Sequence, residues 1–240
     1  MAKALEQWEV QEHGSVQELD EGILTVTGTI TMPLGNFPRR MTVIRLTGGC
    51  TVIYSAVALQ EADMSRIEAL GPPTFMVVPG GHHRLDARIW KHRYPAITVV
   101  APPGARADVE EVVSVDATSD VFDDPDVRFI VVDGTGQREA ALMVTRSGDR
   151  TLITNDVIAH VAHPEGLGAK VMARLMGFGF KQPQVPSVVQ RMVVEDKRSL
   201  AAQFREWSSD EHLRRIIVSH GDVIEQPREA LIALAEALEG

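Results

Sequence analysis

Strand-like and helix-like stretches alternate twice along this 240-residue chain, and that order restricts the fold more than any other feature of the sequence. Gly22 to Ile30 alternates apolar residues with small polar ones, Met41 to Leu46 is apolar, and Thr51 to Leu59 follows the Gly48-Gly49 turn, so the opening reads as a β-meander. Ala62 to Leu70 then has helical spacing and stops at Gly71-Pro72-Pro73, after which Phe75 to Val78 is a short buried strand. His83 to Arg93 carries Leu85, Ile89 and Trp90 on one helical face, and Ala96 to Val100 is the next strand. The second half restarts with strands at Val127 to Val132, Ala140 to Thr145 and Thr151 to Thr154, with a hairpin turn at Ser147-Gly148-Asp149. Helical stretches at Gly166 to Phe180 and Lys197 to Trp207, a strand at Ile216 to Ser219 and a helix at Pro227 to Leu238 complete it. Two mixed sheets packed face to face with helices outside satisfy this order, so the expected fold is α/β, a four-layer αββα sandwich, with residues 1–240 forming one domain.

Charge narrows the partners. Asp and Glu number 33 against 24 Lys and Arg, a formal net charge of -9, which argues against a broad electrostatic grip on nucleic acid or an anionic membrane. No apolar run approaches the roughly 20 residues of a spanning helix. The one cysteine, Cys50, forms no intramolecular disulfide, and the N-terminus lacks a signal-peptide core, so the expected location is cytoplasmic. Arg39-Arg40, Lys91-His92-Arg93 and Arg214-Arg215 read as solvated charges able to steer an anion. Met172, Met176, Gly177, Phe178, Gly179 and Phe180 read as core; if exposed they would mark a homodimer contact or an apolar substrate mouth.

Three strand ends deliver potential metal ligands. The run ending at Val78 passes through Pro79-Gly80-Gly81 to His82-His83, the run to Asn155 delivers Asp156, and the run to Ser219 delivers His220. Such residues, distant in sequence, can converge at one edge of packed sheets. Each also has a plainer reading: a surface or capping pair for His82 and His83, an N-cap for Asp156, a turn residue for His220. Asp86, four residues beyond His82, would on a helix orient an imidazole or replace Asp156 as a ligand. Glu139 reads as a solvated strand residue rather than a ligand, and His160 and His163 are secondary candidates.

From about Met41 to Ile224 the order of elements and the strand-end residues resemble the metallo-β-lactamase superfamily, in particular a bacterial branch with an altered His-His metal motif. The resemblance rests on Val77-Val78-Pro79-Gly80-Gly81-His82-His83 at the place of a His-x-His-x-Asp-His loop, on Thr151-Leu152-Ile153-Thr154-Asn155-Asp156, and on Ile217-Val218-Ser219-His220-Gly221. It implies that Val78 and Gly80 stand where the first two family ligands belong, and that Gly136, Gln137 and Glu139 lie where a third would fall. What remains is the family's second metal site, with His82 in place of an Asp, then His83, Asp156 and His220, hence one divalent cation. Zinc is the first expectation, ahead of iron or manganese. The function implied is a metal-dependent hydrolase of a small-molecule ester, amide, lactone or phosphoester, with Asp156 or Asp86 as base. The alternative is a degenerate member that binds or scaffolds without catalysis, and a third is oxygen chemistry at iron.

Overall fold

The computed structural model describes residues 3–32, 35–161 and 182–240. Two sheets face each other. The first holds six strands in chain order: β1 (Gln17–Asp20), β2 (Ile23–Met32), β3 (Gly35–Arg45), β4 (Thr51–Tyr54), β5 (Pro73–Val77) and β6 (Thr98–Val100). The first four pair antiparallel, whereas β5 and β6 join in parallel after helical crossovers through α1 (Glu61–Leu70) and α2 (Ala87–Arg93). The second sheet runs β10-β9-β8-β7, from β7 (Val127–Val131), β8 (Ala140–Arg146), β9 (Asp149–Thr154) and β10 (Leu213–Val218). Its antiparallel hairpin β8–β9 turns through Ser147 and Gly148, both at positive φ (51° and 90°), which is the twist a two-residue hairpin requires. β10 then pairs parallel with β9. Outside these sheets lie α3 (Arg106–Glu110), α4 (Ser187–Met192), α5 (Lys197–Ser208) and α6 (Pro227–Glu239).

Period-two alternation within the strands assigns the layers. Ile44, Val52, Tyr54 and Val77 of the first sheet meet Leu142, Val144, Ile153 and Ile217 of the second in a buried seam between the sheets. Their chain neighbours Val43, Ile53 and Met76 point the opposite way, against Met64 and Ile67 of α1 and Trp90 of α2. On the far side, Leu152, Ile216 and Val218 pack against Phe204 and Trp207 of α5 and Leu231 and Leu234 of α6. Strand residues that alternate between two apolar environments are what a sheet covered on both faces demands. The result is the four-layer αββα sandwich expected from the order of elements.

Three boundaries shift for identifiable reasons. The apolar run from Thr51 leaves the sheet after Tyr54, because Ser55 adopts a left-handed backbone (φ 56°) and sends Val57, Ala58 and Leu59 into the core as a loop. The helix expected from His83 begins only at Ala87, since residues 82–86 form turns. β3 begins well before the apolar segment at Met41, carried by its ladder to β2 from Gly35 onward. β1, α3 and α4 lack enough periodicity to stand out in the sequence. The Gly166 to Phe180 stretch, with its methionines and glycines, and His163 with it, lie outside the described residues.

An extended strap, residues 3–13, lies over α2. Leu5 N–H donates to the Leu85 carbonyl at 2.9 Å, Arg88 pairs with Glu6 at 2.6 Å, and the Trp8 ring sits 5.6 Å from that of Trp90. The Arg93 guanidinium lies over the Trp8 ring, 4.7 Å from its centre.

Candidate metal centre

The ends of β9 and β10 and the turn after β5 bring three donors to one point. His83 Nε2 lies 3.1 Å from Asp156 Oδ1 and 3.1 Å from His220 Nε2, and His220 Nε2 lies 3.0 Å from Asp156 Oδ1. The turn is closed by the His83 N–H donating to the Gly80 carbonyl at 3.1 Å. Asp156 lies two residues beyond β9 and opens a turn rather than a helix, so the N-cap reading drops out. His220 is held by its backbone, whose carbonyl accepts from the His160 N–H at 3.0 Å.

Their outer partners fix how these rings present themselves. His220 Nδ1 lies 2.7 Å from the Pro38 carbonyl, which only accepts, so that nitrogen carries the hydrogen and a neutral ring turns a bare Nε2 lone pair inward. His83 Nδ1 contacts the Ser55 hydroxyl at 3.0 Å. With both Nε2 atoms bare, two imidazole lone pairs and a carboxylate oxygen packed this closely repel one another; a proton on His83 Nε2, whose Nδ1 can accept from Ser55, or a cation among the three relieves that repulsion. Donors around one divalent cation stand about 3.0 Å apart in cis octahedral positions and about 3.3 Å apart in a tetrahedron. The observed spacing therefore fits a cation.

Charge follows the same logic. Burial alone would raise the Asp156 carboxyl, but the charges and hydrogen bonds of His83 and His220 outweigh it and hold Asp156 well below the usual carboxylate range. Burial lowers His83, against the pull of Asp156, and so favours the neutral, ligating form.

Two of the proposed site residues stand apart from this group. His82 is exposed on the rim of the cavity above the three donors, and it is not part of the cluster. Asp86 is a correction to the sequence reading. Its carboxylate is fully buried against the Arg39 guanidinium and accepts from the Ala58 N–H at 2.9 Å, so it neither faces the donors nor orients an imidazole. The helical offset from His82 does not exist, because the intervening residues are turn rather than helix. His160 contributes only its backbone.

Sequence reasoning also misjudged Glu139. Only 2 % exposed, it is neither a solvated strand residue nor one of the donors. Its carboxyl accepts from Asn155 Nδ2 at 2.9 and 3.2 Å and from the Asp156 backbone N–H at 3.1 Å. Burial and the neighbouring Asp156 charge raise it well above the ordinary range. The two places where the resemblance leaves family donors absent meet here: a β-carbon at Gly80 would lie 2.4 Å from Glu139 Oε1. Glycine at 80 is thus the condition for a buried carboxyl beside the donor cluster. Ser55, Pro38 and Asn155 carried no signal in the sequence, because their roles depend on contacts between distant strands.

A cavity of about 560 Å³ opens onto the donors. No protein-family model and no curated protein matches the sequence. Solved structures do match. The mono-zinc form of the metallo-β-lactamase FIM-1 from Pseudomonas aeruginosa superimposes with a TM-score of 0.63 over 96% of this chain and 98% of its own, at 13% identity. The fold is that of the metallo-β-lactamases. The metallo-β-lactamase from Hirschia baltica aligns with a TM-score of 0.63 over 94% of this chain and 98% of its own at 12% identity. The one from Erythrobacter litoralis gives 0.63 over 92% and 96% at 16% identity. At such identities the metallo-β-lactamase fold is what is shared, and the chemistry must be argued from this chain's own residues. Among the described residues, no helix is long and apolar enough to cross a membrane.

Proposed function

We propose that this protein is a metal-dependent hydrolase of a small molecule, with one divalent cation held by His83, Asp156 and His220. The observation that carries the reading is the mutual 3.0–3.1 Å spacing of their three donor atoms at the floor of a cavity. Three protein donors with one position left open is the ligand count of catalytic zinc, so zinc is the first cation to test. When bound, such a cation acidifies water and polarises a carbonyl or phosphoryl oxygen. The chain supplies the remainder. Pro38 and Ser55 orient the two imidazoles, Glu139 holds the Asp156 backbone, and Asp156, the carboxylate of the donor group, is the proton acceptor we assign. The buried Glu139 beside Gly80 occupies space next to the donors and supports one cation rather than two. FIM-1 is itself known in a mono-zinc form, which makes a single cation reasonable on this fold.

Two histidines and one carboxylate are also the facial donor set of ferrous enzymes, and this gives iron a second claim. Elemental analysis of untagged protein separates the readings: about one zinc per chain, lost in His83→Ala and in His220→Ala at equal folded concentration, is expected. One iron per chain after growth in iron supports the second reading. Folded wild type that takes up neither metal refutes both and leaves a binding or scaffolding protein of the same fold. A cytoplasmic location is proposed with it, on the lone Cys50.

A further inference from the structure

The cavity above the donors is walled largely by hydrocarbon. Ile30, Leu85 and Val112 line it together with Val189, Met192 and Val193, the last three on and just beyond α4. Met192, 54 % exposed, lines the cavity and adds a flexible apolar side chain to its wall. Cationic side chains also reach the wall, yet the guanidiniums are already matched by carboxylates. Arg39 is paired with Asp86, Arg84 lies 2.7 Å from Glu111, and Arg88 lies 2.6 Å from Glu6. Lys3 stands at the exposed outer edge. A site built to grip a phosphate or a carboxylate presents uncommitted arginine forks to it. This one presents charge-neutral pairs and methyl groups.

We infer that the substrate is a neutral carboxylic ester whose acyl portion is a medium-length hydrocarbon chain, seated against α4, Leu85 and Val112 with its carbonyl over the donors. The inference rests on the hydrolase reading above. In the reaction, water adds to the acyl carbon and the carbon–oxygen ester bond breaks. A carboxylate and an alcohol leave: of the two protons of water, one passes by way of Asp156 to the departing alkoxide and the other is released to solvent from the product acid. A cavity of about 560 Å³ lies within the ordinary range for small-molecule sites and leaves room for such a chain.

The test uses the zinc-loaded full chain with p-nitrophenyl octanoate, p-nitrophenyl acetate and bis(p-nitrophenyl) phosphate. Each buried methylene is worth roughly a fourfold factor. The octanoate-to-acetate ratio of kcat/KM is therefore expected to reach about 20-fold or more even if only some of the six added methylenes are buried. Met192→Glu is expected to cut that ratio by about fivefold. Val121→Glu, an exposed position outside the cavity, is expected to leave it alone. A metal-dependent ratio below about threefold overturns the acyl reading and leaves the hydrolase standing. Preference for the phosphate diester overturns the neutral substrate. Turnover of none of the three overturns this inference, and the zinc content of the same sample then shows whether the metal centre has failed with it.

Discussion

Gly80→Ala tests whether the closed space beside the donors is structural in the way its geometry implies. The new β-carbon would stand 2.4 Å from Glu139 Oε1 and 3.1 Å from Asn155 Nδ2, where real β-carbons essentially never come within 3.0 Å of a neighbour. Glu139 must therefore retreat by at least about 0.6 Å, and it is anchored at 2.9 to 3.2 Å by Asn155 and by the Asp156 N–H. Overpacking a rigid interior costs about 1–3 kcal/mol, and stranding a buried polar group costs a further ~1–3 kcal/mol, so a loss of about 2–4 kcal/mol is expected. Glu139→Ala alone should cost a similar amount, by leaving Asn155 Nδ2 and the Asp156 N–H without an acceptor. The double variant has no clash to relieve. It should cost little more than Glu139→Ala by itself, giving a coupling of about 2 kcal/mol between the two sites. Urea unfolding of the metal-free proteins measures all four corners. A Gly80→Ala loss below about 0.5 kcal/mol, or strict additivity, refutes the packing argument.

Ser55→Gly should separate stability from ligation. It removes a left-handed non-glycine residue, for a gain of about 1 kcal/mol in thermal or urea unfolding, while removing the hydroxyl partner of His83 and weakening zinc affinity by roughly 10–100-fold in a chelator competition. Asp86→Ala should unfold the protein by about 3–5 kcal/mol, because it strands Arg39 in the core. Glu139→Gln should gain on wild type as pH rises. The carboxyl is raised by burial and by Asp156, so its stabilising share is full below about pH 4.5 and is lost as pH climbs through its raised value, whereas the amide loses nothing. Unfolding of metal-free protein at pH 5 and pH 8 checks that sign. For His83, lowered by burial, the unfolded chain takes up a proton first, so this group should make metal-free protein less stable as pH falls below about 6.5, and His83→Gln should flatten that fall.

The layers were legible in the sequence because each strand reports its two faces through alternation, as Ile216, Ile217 and Val218 do for the two sides of β10. The strand-end donors were legible for a related reason: an apolar run ending in Asp or His places that residue at a sheet edge whatever else happens. His82 and Asp86 went astray where the local period misled. Leu85, Ile89 and Trp90 suggested a helix, but Pro79-Gly80-Gly81 and the His83-to-Gly80 hydrogen bond stretch the turn to Asp86, so neighbours in the sequence face opposite ways. Glu139 and Ser55 act through strands far from them in the chain. No local pattern encodes a carboxyl that a glycine from β5's exit leaves room for, or a left-handed serine aimed at an imidazole.

The strap over α2 has a practical consequence. Lys3 and Ala4 lie on the cavity wall, with Leu5 fastened to Leu85 and Glu6 to Arg88, so a peptide fused at this end starts from the outer edge of the cavity that opens onto the donors. A polyhistidine tag placed there would bring surplus imidazoles to the same cation, inflating metal counts and obstructing the mouth. A tag after Gly240 instead continues from α6, whose packing is against α5 and β10.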